Sequence, residues 1–520
     1  MYQSKYCFLF LLLLPFATFA QGRKDSIGLA NANLSQFVYA DSIQLAKMRF
    51  AQASSYYLID LMPNRVSRAG VAYSFERGHF IPAQGATTIN SGGFATEGTA
   101  KIGTVKLFGS LNYQKIFEDS TRYAHQTRSN TTTPYYFGSP GYVHYERTIY
   151  AFNAMASKSI WQDKLTFSFE TNYKVGDHFS TNDPRGSVGE YQFNLKGILG
   201  YRFSKTLKAG LGYGHGYGRE SINIGYKNPR YYESSAFPVY YNHLVNGYRE
   251  WDDALKNRTY DDKMVRNGAD LFMDLHTNTL GDFYLNGSFL KENQHYFYSN
   301  SSGFTDYTSY GLETTKVNLL WLNKSNRLGY GATVNFQSQT GKDFNLTYQA
   351  NNYIYNGNNV TAKLFVNKYA EANTHSFYLA GQQYSEERTD GISGNNVYYN
   401  NLLLSLGYGL NHSNTNHTYF AINLTGSYNL PLASAFKVVQ QPGYFTQNVI
   451  NRDYIFNTAT SLGGQLKMAY GFPIFRTMRS AIAINTFYLR KLEEQTIESA
   501  YSSLPGKDRF ATNMSLNLYF

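Results

Sequence analysis

The sequence predicts an all-β protein, a transmembrane antiparallel up-and-down β-barrel of about 18 strands (roughly 16–20). Three observations support this fold class. Aromatic residues make up 17% of the 520-residue chain and charged residues only 16%, whereas soluble proteins carry roughly 25% charged residues. Apolar and polar side chains alternate with a period of two along most of the chain, and the connections between these segments alternate between tight and long.

The alternation is clearest in KLTFSFETNY at residues 164–173, where Leu165, Phe167 and Phe169 share one face and Ser168 lies on the other. Successive side chains of a strand point to opposite sides, so each such segment has an apolar and a polar face. A soluble sandwich shows the same pattern. Many segments here, however, reach the ~9–11 residues that a tilted strand needs to cross a bilayer, while soluble strands are nearer ~5–6.

Nineteen candidate strands can be drawn from the pattern, although a single-chain bacterial barrel has an even number. At least one assignment is therefore wrong, and the region 339–400 is the one we suspect. Residues 433–440 are a candidate twentieth strand. The nineteen segments are 65–75, 95–103, 105–116, 144–158, 164–174, 190–203, 206–217, 268–277, 281–292, 310–322, 328–338, 343–353, 359–368, 375–384, 397–410, 416–428, 460–472, 480–489 and 509–520.

The connections differ in length in the way that membrane barrels require, with short turns on the periplasmic side and longer loops outside. Compact turns are predicted at 102–104, at 203–205 and around Thr277 and Asn278. Long polar connections are predicted at 117–143, 175–190, 219–267 and 490–508.

The N-terminus predicts export. Lys5 precedes an apolar run from Tyr6 to Phe16, and the small residues Thr18 and Ala20 follow it. This pattern is typical of a secretory signal peptide, predicted here at residues 1–20 with cleavage after Ala20. The alternative is an uncleaved membrane anchor. No later apolar run approaches the ~20 residues of a membrane-spanning helix.

The cysteine content and net charge of the mature chain restrict which catalytic groups and which partners are expected. The only cysteine, Cys7, lies within the signal peptide, which excludes disulfides and a thiol catalyst from the mature protein. Removal of Lys5 lowers the 47 basic residues to 46, so that against 36 acidic residues the mature chain carries +10. For an exported barrel, this charge favours lipid phosphates or anions in the lumen over nucleic acid.

Residues 21–64 lack the period-two pattern and are predicted to be a periplasmic lead-in or a small plug segment. A helical apolar pattern runs through 41–63, with Asp41 or Ser42 as its cap. The barrel is then predicted to occupy residues 65–520.

No catalytic constellation, cofactor site or metal site is predicted, and the protein is not expected to be an enzyme. His412 and Ser413 are adjacent, so they point to opposite faces of a strand rather than forming a nucleophile and base. His215 lies near Arg219, Glu220 and Ser221, but no paired Asp-Asp or Asp-His arrangement accompanies it. The eleven histidines are scattered and lack metal-site spacing.

The segment 219–267 interleaves arginines with tyrosines, a composition that suits recognition of a ligand or a partner surface. The alternative is a folded loop that constricts or covers the pore. The candidate ligand or partner residues are Arg219, Tyr226, Arg230, Tyr231, Tyr232, Tyr240, Tyr241, Tyr248 and Arg249.

The chain ends in RFATNMSLNLYF at residues 509–520, with apolar side chains at alternate positions. Those predicted to face lipid are Phe510, Met514, Leu516, Leu518 and Phe520. The segment resembles the last strand of Gram-negative outer-membrane barrels, whose C-terminal aromatic residue is an assembly signal. The resemblance implies that the barrel-assembly machinery reads these five residues during insertion.

The segments FERGHFIPAQG (75–85), GGFATEG (92–98) and SPGYVHYER (139–147) also resemble an uncharacterised family of Gram-negative outer-membrane β-barrels. The resemblance implies location and architecture: a porin-like barrel surrounded by outer-membrane lipid and lipopolysaccharide. It brings no substrate with it.

Three functions remain open at this point. The first is a channel or transport-type barrel for small polar solutes. The second is a binding or assembly partner of a surface lipoprotein, receptor or secretion complex, acting through the long loops. The third, less favoured, is a barrel lipase or protease.

Overall fold

The barrel is visible in a computed structural model, which describes residues 25–232, 236–252, 259–300, 303–325, 327–414, 418–438, 443–475, 477–493 and 504–520. Its strands are β1 (Val66–Gly78), β2 (Thr88–Ile102), β3 (Val105–Thr121), β4 (Tyr135–Gly138), β5 (Val143–Ile160), β6 (Leu165–Ser180), β7 (Arg185–Arg202), β8 (Leu207–Gly225), β9 (His243–Asn246), β10 (Thr259–Thr277), β11 (Gly281–Asn300), β12 (Gly303–Lys324), β13 (Leu328–Asn345), β14 (Tyr353–Tyr369), β15 (Asn373–Asp390), β16 (Asn395–Ser413), β17 (Tyr419–Lys437), β18 (Ser461–Phe475), β19 (Met478–Lys491) and β20 (Asp508–Tyr519).

Eighteen of these strands form one closed antiparallel sheet, and β4 and β9 pair only with each other. Each barrel strand pairs with the next along the chain, and β1 pairs with both β2 and β20. The closing register runs from Arg68 opposite Tyr519 to Gly78 opposite Arg509. The predicted fold class and the preferred strand number are confirmed. The predicted signal peptide lies outside the described residues.

The two ends of the barrel differ. We call the end that holds the start of β1 and the end of β20 the terminal end, and the opposite one the loop end. The terminal end has short turns, among them 103–104, 161–164, 203–206 and 278–280, as predicted. The longest connections lie at the loop end, including 122–142 and the segments that join β8 to β10 and β17 to β18.

Two of the predicted segments are wrong. Residues 343–353 are not a strand: β13 ends at Asn345, whose side-chain oxygen accepts the backbone N–H groups of Thr347 and Tyr348 and so turns the chain. This segment is the excess member of the nineteen. Residues 175–190 are not a long loop, because β6 runs to Ser180 and β7 begins at Arg185.

The predicted loop 219–267 is also shorter than expected, since β8 continues to Gly225 and β10 begins at Thr259. The strand ends are polar here because they pair across the sheet: Arg219 on β8 donates to Asp261 on β10, with a nitrogen–oxygen distance of 2.7 Å. Residues 433–438 are not a separate strand, because β17 runs to Lys437.

The outer face carries an apolar belt. Leu211, Leu271, Leu406 and Met514 are each more than half exposed on the outside of the barrel. Outward aromatic rings contact one another across neighbouring strands, as in the pair Tyr113–Tyr150, with ring centroids 5.0 Å apart. Such a surface is stable where lipid replaces water around it.

Residues 25–62, called the inner segment below, fold into helices at the terminal end of the lumen. They comprise α1 (Asp25–Ala40), α2 (Ser42–Gln52), a 3-10 turn (Ser55–Tyr57) and α3 (Leu58–Leu61). Asp41 caps α2 by accepting the N–H groups of Ile43 and Gln44, one of the two caps expected from the sequence. None of the helices among the described residues is long and apolar enough to span a bilayer.

The loop end is covered by residues 79–87, 122–142, 241–252 and 443–460, which together form what we call the cap. It contains the β4–β9 pair, a π-helical turn (Thr446–Ile450) and α4 (Asn451–Asn457). The aromatic side chains of Tyr135 and Phe137 pack against inward residues of the strands such as Tyr260 and Tyr296. The lumen is therefore occupied at both ends.

Candidate functional site

The lumen contains a chamber of about 1050 Å³ beside the inner segment. It is lined by Tyr39, Ser42, Arg49 and Phe50 of the inner segment and by the inner faces of β1–β3 and β11–β20. The lining strand residues lie nearer the terminal end than those that the cap contacts. The chamber is thus bounded by the inner segment and by the wall of the barrel.

The wall of the chamber is rich in side-chain amides. These are Asn112, Gln114, Asn286, Asn318, Asn335, Asn423, Gln465, Asn485, Asn513 and Asn517. Amide groups both donate and accept hydrogen bonds, so this wall can replace the hydration of a polar solute. A second cavity of about 250 Å³ shares Asn112 with the chamber and adds Asn153, Asn172, Gln192 and Asn194.

Four cationic side chains also line the chamber: Arg49 on α2, Arg68 on β1, Lys363 on β14 and Lys467 on β18. Arg68 forms an ion pair with Glu97, at 2.9 Å. The ammonium group of Lys363 lies 4.0 Å from the centre of the Tyr378 ring. The chamber is therefore electropositive as well as polar.

The first helix of the inner segment lies against the seam where β1 meets β20. Ser35 Oγ donates to the backbone oxygen of Phe520, at 3.1 Å, and accepts the N–H of Ser67, at 3.2 Å. Arg479 on β19 donates to Asn33, at 2.8 Å. These contacts fix α1 to the first and the last two strands of the barrel.

The rest of the inner segment is tied to the opposite walls by polar contacts. Asp41 accepts from Tyr369 on β14, at 3.1 Å. The carboxylate of Asp60 pairs with Lys208 at 2.6 Å and with Arg202 at 3.3 Å. Lys106 donates to the backbone oxygen of Met62. The segment therefore contacts strands from both halves of the barrel.

Aromatic packing secures the turn between α2 and α3. The Tyr56 ring stacks on Phe272 of β10, with ring centroids 4.7 Å apart. The ammonium nitrogen of Lys208 lies 4.4 Å from the centroid of the Tyr56 ring. A Cβ added at Gly200 would lie 2.9 Å from this ring. The wall therefore needs glycine at that position, because a larger residue would displace Tyr56.

The cap is held by carboxylates that accept backbone N–H groups. Glu250 accepts from Phe445 and Thr446, at 2.9 and 2.7 Å, which joins two of its segments. Asp453 on α4 accepts from Ala83, at 2.6 Å. Burial raises the pKa of Asp453 to about 6, so deprotonation of this carboxyl group opposes the packing of the cap.

The alternation predicted for the last strand is present in the structure. Met514 and Phe520 are exposed on the outer face, at 52% and 39%, and Phe510, Leu516 and Leu518 lie on the same side of β20. Tyr519 is buried on the inner side, with its ring 5.5 Å from that of Tyr39. The use of these residues as an assembly signal stays a prediction.

The candidate loop residues do not form one group. Arg219 is in β8 and not in the loop. Tyr226, Arg230, Tyr231, Tyr232 and Tyr240 gather outside the cap, where Tyr231 stacks on Tyr240 with centroids 4.0 Å apart. Tyr241, Tyr248 and Arg249 belong to the cap. No ligand or partner role is tested by this placement.

The histidines weighed as catalytic groups contact amides. Both ring nitrogens of His412 lie within 3.0 Å of asparagine oxygens, those of Asn373 and Asn414. His215 Nδ1 lies 3.0 Å from Asn267 Oδ1 on the exposed outer face. In the described part of the chain, no three His, Cys, Asp or Glu side chains group as metal ligands.

Reasoning from the sequence missed the cations of the chamber. Lys363 and Lys467 are the inward-facing members of AKLF and LKMA, where the alternation alone identifies the polar side. Their convergence could not be read from the sequence, because it depends on the position of α2 in the lumen. Arg49 belongs to a helix for which no wall contact was predicted.

A model of a family of unknown function (DUF6850) matches residues 56–520. No curated protein matches the chain.

Among solved structures, the siderophore receptor PiuA from Acinetobacter baumannii is 9% identical, with 87% of this chain and 82% of that chain covered and a TM-score of 0.38. The FrpB iron transporter from Neisseria meningitidis (F3-3 variant) is 9% identical, with coverages of 90% and 83% and a TM-score of 0.39. The outer membrane transporter YddB from Escherichia coli is 8% identical, with coverages of 88% and 81% and a TM-score of 0.39. These similarities carry no information about what this chain binds.

Proposed function

The chain belongs to the family of unknown function DUF6850, and we propose that it is a transport-type β-barrel of the Gram-negative outer membrane that passes small polar solutes. The observation that carries this proposal is the amide-lined chamber of about 1050 Å³ inside a barrel with an apolar outer belt. A polar interior behind a lipid-facing wall is the arrangement that hydrophilic solutes require.

Passage needs movement at both ends of the lumen, because the inner segment and the cap stand in the way. Ion pairs hold part of the inner segment in place, and a change of charge inside the lumen can break them. Asp60 is the clearest such point, since it pairs with both Lys208 and Arg202. We assign the inner segment the role of a gate.

Conductance in planar bilayers tests this function. We expect rare openings for the wild-type protein and more frequent or larger openings for Asp60→Asn, because the inner segment then loses its ion pairs with Lys208 and Arg202. Asp306→Asn is the matched control, since Asp306 forms an exposed pair with His295 on the outer surface. Heat-modifiable gel mobility verifies that each barrel is intact. Intact barrels that give neither conductance nor solute flux in any variant would refute transport.

The outer-membrane location belongs to the same proposal. Export through a cleaved signal peptide, insertion by the barrel-assembly machinery and contact with lipid and lipopolysaccharide follow from it. Separation of inner and outer membranes of expressing cells checks the location, and N-terminal sequencing of the purified protein checks cleavage after Ala20.

A second candidate, binding of a surface lipoprotein or another partner, is favoured by the aromatic group outside the cap. Phe237 and Val239 are exposed beside the stacked rings of Tyr231 and Tyr240. Aromatic side chains of this kind are enriched in protein interfaces. Replacement of Phe237 by a photo-reactive residue tests this role in intact cells. One specific crosslinked product would support the role, and the lack of any crosslinked product would oppose it.

A further inference from the structure

We infer that the chamber binds a small organic anion that carries carboxylate or phosphate groups together with hydrogen-bonding groups. This inference deepens the proposed function, because it names the class of solute and the residues that meet it. The site consists of Arg49 on α2, Lys363 on β14 and Lys467 on β18, with the amide wall around them.

The three cations converge from separate elements. Arg49 comes from the inner segment, while the two lysines come from strands on the facing wall, and all three line the same chamber. The positive charge of Arg49 acts on both Lys363 and Lys467. Like charges that line one chamber repel one another, so an anion bound among them would be stabilised.

None of the three has a carboxylate partner within the described residues. Two other cations of the inner wall are matched: Lys196 pairs with Asp270 at 3.1 Å, and Arg266 with Glu292 at 2.5 Å. Arg49, Lys363 and Lys467 lack such partners in the described part of the chain, so their three positive charges are available to bind an anionic ligand.

The carboxylate that pairs with Arg68, the fourth cation of the chamber, is already engaged by other donors. Glu97 accepts from Arg68 at 2.9 Å, from Tyr39 at 2.8 Å and from Gln52 at 2.7 Å. Three donors satisfy most of the capacity of one carboxylate. Its charge is therefore held by Arg68 and the inner segment rather than by the unpaired cations.

The surroundings fit an organic anion better than a bare inorganic one. Asn335, Asn423 and Gln465 line the chamber beside the cations and can hydrogen-bond to hydroxyl or carbonyl groups. Phe50 and Tyr378 add apolar surface. A volume of about 1050 Å³ is slightly above the ~300–1,000 Å³ of ordinary ligand sites, so a solute of several carbon atoms fits with water around it.

Calorimetric titration of the detergent-solubilised full-length protein tests the site, with citrate as the anionic probe and maltose as the neutral one. We expect citrate to bind at low salt, to bind more weakly as salt rises from about 20 to about 200 mM, and maltose to give no heat. The double variant Lys363→Gln/Lys467→Gln should lower citrate affinity at least about tenfold. The control Lys101→Gln/Lys205→Gln removes the same charge from exposed residues at the terminal end and should bind as the wild type does.

The results separate this site from the proposed function. Equal citrate affinity in the double variant and the wild type, no citrate binding at all, or equal binding of maltose would overturn the site. Inorganic phosphate that binds as tightly as citrate would also overturn it, because the amide wall would then contribute nothing. Citrate binding without flux through an intact barrel would leave the site standing and refute transport; flux without citrate binding would do the reverse.

Discussion

His125 is buried inside the cap, where its ring Nδ1 contacts the hydroxyl group of Tyr145 on β5. Burial, reinforced by the nearby positive charge of Arg147, lowers the pKa of His125 to about 3. The imidazole is therefore neutral in the folded cap, whereas in an unfolded loop its pKa is near 6.5.

Acidification should loosen the cap through His125. A lowered pKa adds stability that is fully present above about pH 6.5 and is lost as the pH falls towards the folded value. At pH 4.5 the loss is roughly 2–3 kcal/mol, two pH units below the unfolded pKa. Hydrogen exchange of residues 122–142, compared at pH 7.5 and 4.5 and corrected for intrinsic rates, measures this loss.

His125→Gln provides the control for that measurement, because glutamine keeps a polar side chain without a titrating group. The variant should show a much smaller pH effect in residues 122–142. An undiminished effect in the variant would assign the acid-induced loss of stability to groups other than His125. Asp453 is not one of them, because its raised pKa stabilises the cap as the pH falls.

At the scale of elements, the strands could be predicted from the sequence and their ends could not. The alternation in β20 or β6 follows from side-chain geometry alone, which local sequence contains. The segment 343–353 was assigned wrongly because its alternation is cut by the side chain of Asn345, which bonds to the backbone two and three residues on. Hydrogen bonds of that kind compete with a strand wherever Asn occurs.

The last strand makes a prediction of its own. Phe520→Asp should reduce the heat-modifiable, membrane-inserted form strongly, because the change puts a charge at the lipid-facing end of β20 and alters the terminal residue. Phe237→Asp is the matched control, since Phe237 is exposed to 40% and Phe520 to 39%, but Phe237 lies in a loop-end segment. Normal abundance of inserted Phe520→Asp protein would contradict the reading of the terminus as an assembly signal.

The inner segment could be predicted only in outline. The sequence shows a helical pattern and a cap at Asp41. The partner of Asp41 on β14, however, is 328 positions away along the chain, and the partners of Asp60 lie on the distant strands β7 and β8. Such contacts depend on how the whole barrel closes. The same distance in sequence hides the convergence of Arg49 with Lys363 and Lys467.

At the scale of the whole molecule, the absence of cysteine after residue 7 allows the gate to be locked. Ser42 Oγ on α2 lies 3.0 Å from Asn367 Oδ1 on β14, so Ser42→Cys/Asn367→Cys places two thiols near each other. We expect oxidation of this pair to abolish solute flux and reduction to restore it. Each single-cysteine variant serves as a control, and flux that persists in the fully oxidised pair would show that the inner segment is not the gate.

The contacts of Ser35 imply an order of events during assembly of the barrel. Its hydroxyl group bonds to residues at both ends of the wall, Ser67 and Phe520, and the second contact spans 485 positions of the chain. The docking surface for α1 comes into existence only when the first and last strands lie side by side. Helix α1 can therefore dock only after β1 and β20 have paired, so that its docking marks a closed wall.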